Sequence, residues 1–326
     1  MNQKKIFSLA DVLSVLAALV FGFVCFLGAN FLNIGNDKVW GMSHTIGCVV
    51  MSVFIAVLLF GTAFGAKLLK RTSRNFKTCF VGEVILLALF VLFALFFASN
   101  TSPFPHYFTV AAQKSEINSK LQSSITQAVN MFAAYESYAD DREKLYNNNL
   151  KRVVAAKFIN PQEYKAYGFQ NNGISDYKQI ETKMFTVHAD LFPTNYSNTT
   201  ANNGMKEVAT KWLQNANNIT GSWKPIGIVG VVKDIEKKST DWLNTLVTLS
   251  QVREHGELTN NFPYPLSFED VKTHFTKLNI PTGLSLGLAV LAYVLMLLSW
   301  LVTKRSTRFP GLKFLFGLSK PGNNEL

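Results

Sequence analysis

Four long apolar runs constrain this chain more than any other feature of its sequence. They lie at residues 12–32, 45–66, 79–99 and 282–303, and the one charged residue (Lys, Arg, Asp or Glu) inside them is Glu83. Each is about 20 residues long, so an α-helix rising about 1.5 Å per residue could cross a hydrocarbon core about 30 Å thick. The sequence therefore predicts an integral membrane α-helical protein with four transmembrane helices.

Basic side chains are concentrated on one side of these predicted spans. They occur in the loop after the second run and in the tail after the fourth: Lys67, Lys70, Arg71, Arg74, Lys77, Lys304, Arg305 and Arg308. The opposite short loop, residues 33–44, carries only Asp37 and Lys38. The positive-inside rule predicts that both termini are cytoplasmic and that residues 100–281 face outward.

The first run could also be a signal peptide, because Lys4 and Lys5 precede it. It is longer than a typical signal-peptide apolar region, and three further spans follow, so we interpret it as an uncleaved first span. The predicted organisation is an N-terminal membrane region, an extracytoplasmic domain, a fourth span and a basic cytoplasmic tail, at residues 1–99, 100–281, 282–303 and 304–326.

The segment between spans three and four reads as a mainly α-helical domain. Apolar residues recur at steps of three and four, which marks one buried helix face. Predicted helices cover 111–158 (as one helix or two), 205–214, 228–252 and 264–277, with an irregular region at 159–203. A β-strand could replace the helix start at 225–232. A bundle of about four helices would bury these faces.

Charge and cysteine placement narrow the class of protein. The chain has a net charge of +11, but residues 104–280 contain 19 Lys and Arg against 17 Asp and Glu. The basic excess therefore lies beside the membrane runs, where topology and anionic lipids explain it, and nucleic acid is not an expected partner. Cys25, Cys48 and Cys79 all lie within or at the edge of apolar runs. A disulfide-free outer domain favours a bacterial inner membrane.

Glu83 is the sharpest single candidate for a functional residue. A carboxylate within hydrocarbon is costly and usually faces a partner, water or an ion path. It lies about 6 Å of helix rise into the third span. Three readings stand: hydration near the interface or pairing with a nearby basic side chain, a contact with another helix or partner, and ion or proton translocation.

Two small-residue motifs could allow close helix packing. Gly61 with Gly65 and Gly283 with Gly287 each form a GxxxG pattern, which lets helix backbones approach closely. Chance is the alternative, since glycine is common in membrane helices. The sequence does not distinguish contacts within one chain from contacts between chains, so it predicts no oligomeric state.

No pattern in the sequence predicts catalysis. The histidines are dispersed, without paired metal-ligand spacing, and no phosphate-binding loop or nucleophile motif occurs. We therefore expect no enzyme activity, no metal and no cofactor. The expected function is a binding or structural subunit of a cell-envelope complex, with membrane lipids and other proteins as partners. An extracytoplasmic sensor that signals through a partner is the first alternative. A transporter component is the second, and it fails if Glu83→Gln leaves function intact.

Overall fold

The computed structural model describes residues 8–72, 76–254, 257–258 and 262–305. The regular secondary structure of the described residues is almost all helical. It also includes two short antiparallel hairpins, β1 (Lys38–Val39) with β2 (Met42–Ser43) and β3 (Arg253–Glu254) with β4 (Glu257–Leu258). The helices are α1 (Leu9–Leu32), α2 (His44–Arg71), α3 (Phe76–Phe97), α4 (Pro103–Ala112), α5 (Lys114–Ala155), α6 (Pro161–Ala166), α7 (Asp176–Leu191), α8 (Met205–Gly221), α9 (Pro225–Ser250), α10 (Lys272–Thr276) and α11 (Gly283–Val302).

Two compact units make up the chain. The bundle unit comprises Met1–Ser115 with Lys272–Leu326, and the insert unit comprises Glu116–Val271. Among the described residues, the four helices long and apolar enough to cross a membrane are α1, α2, α3 and α11. Their number agrees with the four predicted spans. Their bounds differ by a few residues, most at the end of α2, which continues to Arg71.

The bundle unit is organised around α1. This helix packs against α2, α4 and α11, and α2 packs in turn against α3. Aromatic contacts fill the centre: the Phe21 ring stacks on Phe104, with centroids 4.4 Å apart, and lies 5.5 Å from Tyr293. Pro103 occupies the first turn of α4, where a missing N–H is tolerated, so the proline begins a helix after the break that follows α3.

A buried histidine joins two short helices of the bundle unit. His106 of α4 is 1% exposed, and its Nε2 lies 2.7 Å from the carbonyl oxygen of Phe275 in α10. Burial lowers the pKa of His106, which favours the neutral ring. Because α4 and α10 pack with α1, the compact insert unit is shorter at both ends than the predicted segment 100–281.

The insert unit is organised around α5. This is one continuous helix of 42 residues, so the predicted helical pattern at 111–158 is not divided in its middle. Two buried clusters lie along it. The first cluster contains Tyr135, Phe132 and Leu246. The second contains Leu150 and Tyr164. The Tyr135 hydroxyl donates to the carbonyl of Leu191, 2.7 Å away, which ties α7 to α5.

Three local predictions differ from the structure. The region expected to be irregular, 159–203, contains both α6 and α7. The first turn of α7 is capped by Ser175, and its weak apolar face buries only Val187 and Leu191. The helix predicted at 264–277 is reduced to α10. Residues 264–271 are not helical, and the Ser267 N–H donates to the Gln127 side-chain oxygen instead of to a backbone carbonyl. The strand alternative at 225–232 is wrong, since Pro225 begins α9.

Candidate functional site

Charged and hydroxyl side chains meet inside the bundle unit where α1 begins and α2 and α11 end. The helices of the unit run up and down, so these termini share one end of the bundle. We call this group the polar cluster, and its members are Asp11, Ser14, Lys67, Lys70, Glu83, Ser299, Trp300 and Arg305.

The deepest part of the polar cluster is an ion pair between Asp11 and Lys67. Asp11 is 1% exposed and Lys67 is 3% exposed. The same carboxylate accepts a hydrogen bond from the Ser299 hydroxyl, and the Ser8 N–H donates to its second oxygen at 2.7 Å. The Ser14 hydroxyl donates to the Leu295 carbonyl at 3.0 Å. These contacts join α1 to both α2 and α11, and they satisfy a carboxylate that would be costly to bury alone.

Glu83 belongs to the second part of the polar cluster and is 1% exposed. Its Oε1 accepts hydrogen bonds from Trp300 Nε1 at 2.8 Å and from Arg305 Nη2 at 2.6 Å. Its Oε2 also lies 2.6 Å from Arg305 Nη2, as an ion-pair contact without hydrogen-bond geometry. Glu83 therefore contacts both a basic side chain, Arg305, and another helix, α11, through Trp300, so these contacts fit the first and the second of the three interpretations.

Lys70 completes the connection between α2 and α11. Its Nζ donates to the Trp300 carbonyl at 2.8 Å and lies 4.3 Å from the centre of the Trp300 ring. Two of the predicted topology-setting cations, Lys67 and Lys70, therefore contact other helices from within α2. Lys304 is exposed, and Arg71 ends α2. Arg74, Arg308 and the side chain of Lys77 lie outside the described residues.

The four motif glycines differ in what a side chain would meet. A Cβ built on Gly61, Gly283 or Gly287 meets nothing within 4 Å, whereas one on Gly65 lies 3.0 Å from Leu86 Cδ1. The tightest backbone approach is at Gly28 of α1, where a Cβ would overlap the carbonyl of Pro103 in α4. Gly28 has no glycine four residues away, so the GxxxG pattern could not indicate it.

Sequence reasoning also missed Asp11 and Ser299 as partners of Lys67. A signal existed, because antiparallel spans bring the start of span one and the end of span two to the same face. An acid at the first position and a base at the second can therefore pair. The serine carried no signal, since a single hydroxyl in an apolar helix often bonds its own backbone.

A second site lies at one end of the insert unit. The chain enters and leaves this unit together: Lys120 Nζ lies 3.8 Å from a Glu269 carboxylate oxygen, and the Tyr264 hydroxyl donates to the Gln127 carbonyl at 3.0 Å. Residue 151 lies about 50 Å along α5 from Lys120. We call residues 151–183 the distal tip. The distal tip is therefore the end opposite the chain connections.

Large apolar side chains are exposed at the distal tip. Phe158 and Ile159 are adjacent in sequence and each is 89% exposed, and Tyr177 is 77% exposed. Scattered exposed apolar residues are ordinary, but a contiguous group marks an interaction surface. Beside Phe158 lies a pocket of about 770 Å³, whose wall includes Tyr164 and Phe169.

Hydrogen bonds to Asp176 shape this pocket. The Tyr164 hydroxyl donates to one oxygen of that carboxylate at 2.6 Å, and Lys157 Nζ donates to the other oxygen at 2.6 Å. The bond to Asp176 raises the pKa of Tyr164 to about 12, and the bond from Lys157 lowers the pKa of Asp176. The Tyr164 ring stacks on Phe169, with centroids 5.0 Å apart. The start of α7 is thereby held against α6, and Tyr164 and Phe169 form an aromatic wall of the pocket.

A half-buried lysine borders the same pocket. Gly168 has φ +72°, a conformation that glycine adopts readily, and a Cβ there would lie 3.0 Å from Lys183 Nζ. The ammonium lies 5.3 Å from the centre of the Phe169 ring. Burial lowers the pKa of Lys183, and no carboxylate among the described residues forms an ion pair with it.

The two sites differ in what they can do chemically. In the polar cluster the charges contact one another and tie helices together, whereas the distal tip presents apolar and cationic groups outward. Within the described ranges, no group of three or more His, Cys, Asp or Glu is placed to hold a metal ion. Comparison with known families, curated proteins and solved structures finds no match for the chain.

Proposed function

We propose that this chain is a non-enzymatic, membrane-anchored binding subunit of a cell-envelope complex. In this proposal α1, α2, α3 and α11 cross a bacterial inner membrane, both termini are cytoplasmic, and the insert unit is extracytoplasmic. The apolar lengths of the four helices and the basic residues around the polar cluster support this arrangement. The polar cluster would hold the anchor together, since each of Asp11, Lys67 and Glu83 contacts a partner on another segment.

The exposed distal tip is the observation that carries the proposal. Phe158 and Ile159 form an apolar surface at the end of the insert unit away from its chain connections. Solvent exposure of such adjacent side chains is unfavourable, and covering them with a partner would recover that free energy at about 25 cal/mol per Å² of buried apolar surface. A binding role explains why this surface is placed at the free end of the unit.

The proposed topology predicts one-sided labelling of introduced cysteines. In a background without native cysteines, Ile226→Cys, at an exposed position of α9, should react with a membrane-impermeant maleimide in intact cells. Lys304→Cys, at an exposed position after α11, should react only after the membrane is permeabilised. Labelling of Lys304→Cys in intact cells, with Ile226→Cys protected, would reverse the orientation.

The subunit role predicts a stoichiometric partner. A tagged chain extracted from its native membranes in mild detergent should retain a membrane or envelope protein at constant ratio through two purification steps. Deleting the chain should reduce the activity or the assembly of that partner. The same tagged chain washed at high salt is the control for nonspecific association. Recovery of the chain alone, with no partner affected by its deletion, would contradict the role.

A further inference from the structure

We infer that the distal tip binds an acidic segment of a second protein, which places an apolar side chain in the pocket beside Phe158 and a carboxylate near Lys183. This inference rests on the proposed binding role and specifies its partner. Three features of the distal tip support it: its charge, the unpaired Lys183 and the shape of its surface.

Charge is distributed unevenly within the insert unit. The distal tip contains six Lys and Arg against three Asp and Glu, whereas the remainder of the unit contains ten against fourteen. The tip is thus the basic part of an otherwise acidic unit. Complementary charge steers association and selects among partners, so this distribution favours an acidic surface.

The position of Lys183 indicates where a carboxylate would bind. Its ammonium is half-buried against the Phe169 ring, without an acidic partner in the described part of the chain. Partial burial of a cation without a counter-charge is unfavourable, and it correspondingly lowers the pKa of Lys183. A carboxylate arriving at this edge of the pocket would pair with the cation and remove that penalty. Lys165 lines the same pocket and adds a second, exposed positive charge.

The shape of the tip favours a protein segment over a lipid surface. Phe158 and Ile159 project at the rim, while Lys183 lies beside the concave wall made by Tyr164 and Phe169. A flat layer of headgroups could contact the rim, but a chain segment can present one side chain to the pocket and another to the lysine. The apolar rim also extends beyond the pocket, so a ligand confined to the pocket would contact Phe158 but leave Ile159 uncovered.

Site-specific cross-linking in cells tests this inference on the full chain. The photoreactive analogue p-benzoylphenylalanine replaces Phe158 in one strain and Ile226, an exposed apolar position in the first turn of α9, in a control strain. Irradiation should give a discrete protein adduct from position 158 only. Mass spectrometry of the adduct should find a cross-linked peptide with more Asp and Glu than Lys and Arg.

Charge-reversal variants then test the role assigned to Lys183. Lys183→Glu should reduce the adduct at position 158 about tenfold, equivalent to about 1.4 kcal/mol. Lys178→Glu, an exposed position on the same helix with the same change in net charge, should reduce it less than about threefold. Lys183→Met removes the charge without reversing it and should also lower the yield of the adduct at position 158. The test therefore remains valid even if Lys183→Glu perturbs α7.

Several outcomes would overturn the inference. Adducts with lipid alone, equal adducts at 158 and 226, a basic cross-linked peptide, or equal loss in Lys178→Glu and Lys183→Glu would each exclude the acidic protein segment. If a stoichiometric partner co-purifies but no adduct forms at 158, the tip assignment fails while the subunit role survives. If no partner is recovered at all, both fail.

Discussion

Replacing Asp11 with Asn should destabilise the bundle unit by about 3–5 kcal/mol, because it leaves the buried Lys67 ammonium without a counter-charge. Both side chains are at most 3% exposed, so water cannot replace the lost carboxylate. The hydrogen bond from Ser299 to the same oxygen would also weaken, since an amide oxygen accepts less strongly than a carboxylate. The measurement is SDS-driven unfolding of the full chain in mixed micelles.

A second variant separates the ion pair from a general loss of packing. Asp11→Asn combined with Lys67→Met removes both charges and keeps the volume of the lysine stem, so it should recover at least half of the lost stability. Asp37→Asn, at an exposed position of the same unit, is the matched control and should change the free energy of unfolding by less than about 0.5 kcal/mol. A single Asp11→Asn change as small as that of the control would show that Asp11 and Lys67 are not paired.

Gly28→Ala should be the second most disruptive change, with a loss of about 1–3 kcal/mol or more. A methyl group on Gly28 would overlap the Pro103 carbonyl oxygen and lie 2.7 Å from the carbonyl carbon. Both are backbone atoms, so α4 would have to move away from α1 as a whole. The Phe21–Phe104 stacking, at 4.4 Å between centroids, would be lost with that movement.

Gly61→Ala provides the matched control for this prediction. It is also a glycine in an apolar helix, but its Cβ would meet nothing within 4 Å. Alanine is the better helix former by about 1 kcal/mol, so this variant should be neutral or slightly more stable. Equal destabilisation by Gly28→Ala and Gly61→Ala in the same unfolding measurement would contradict the close contact of α1 with α4. It would also favour a role for the GxxxG face between chains.

The four long apolar helices were largely predictable from the sequence, because crossing hydrocarbon requires a particular length and composition of each helix. The helix bounds were less predictable. The end of α2 lies five residues beyond the predicted 45–66, since Lys67 and Lys70 remain helical where they can bond neighbouring helices. A basic residue just outside an apolar run looks like a loop cation until its partner is known.

The insert unit shows where local patterns fail. The strong periodicity of α5 identified it, because one face of a long helix is buried at regular steps. The short apolar face of α7 is too weak to distinguish a helix from an irregular region. The segment at 264–271 had a plausible helix start at Ser267, but contacts with Gln127 hold it against α5 in another conformation. Such contacts join residues more than 130 positions apart, and no local pattern contains them.

By itself, the sequence determined the apolar spans, the one-sided distribution of basic residues and the helical character of the segment between spans three and four. These follow from periodicity and composition, which act over one or two helical turns. Only the tertiary structure decided that Asp11 pairs with Lys67, that Glu83 meets Arg305, and that Lys183 borders the pocket at the distal tip. Each of these depends on how separate helices pack, and packing is set by the whole chain rather than by any one segment.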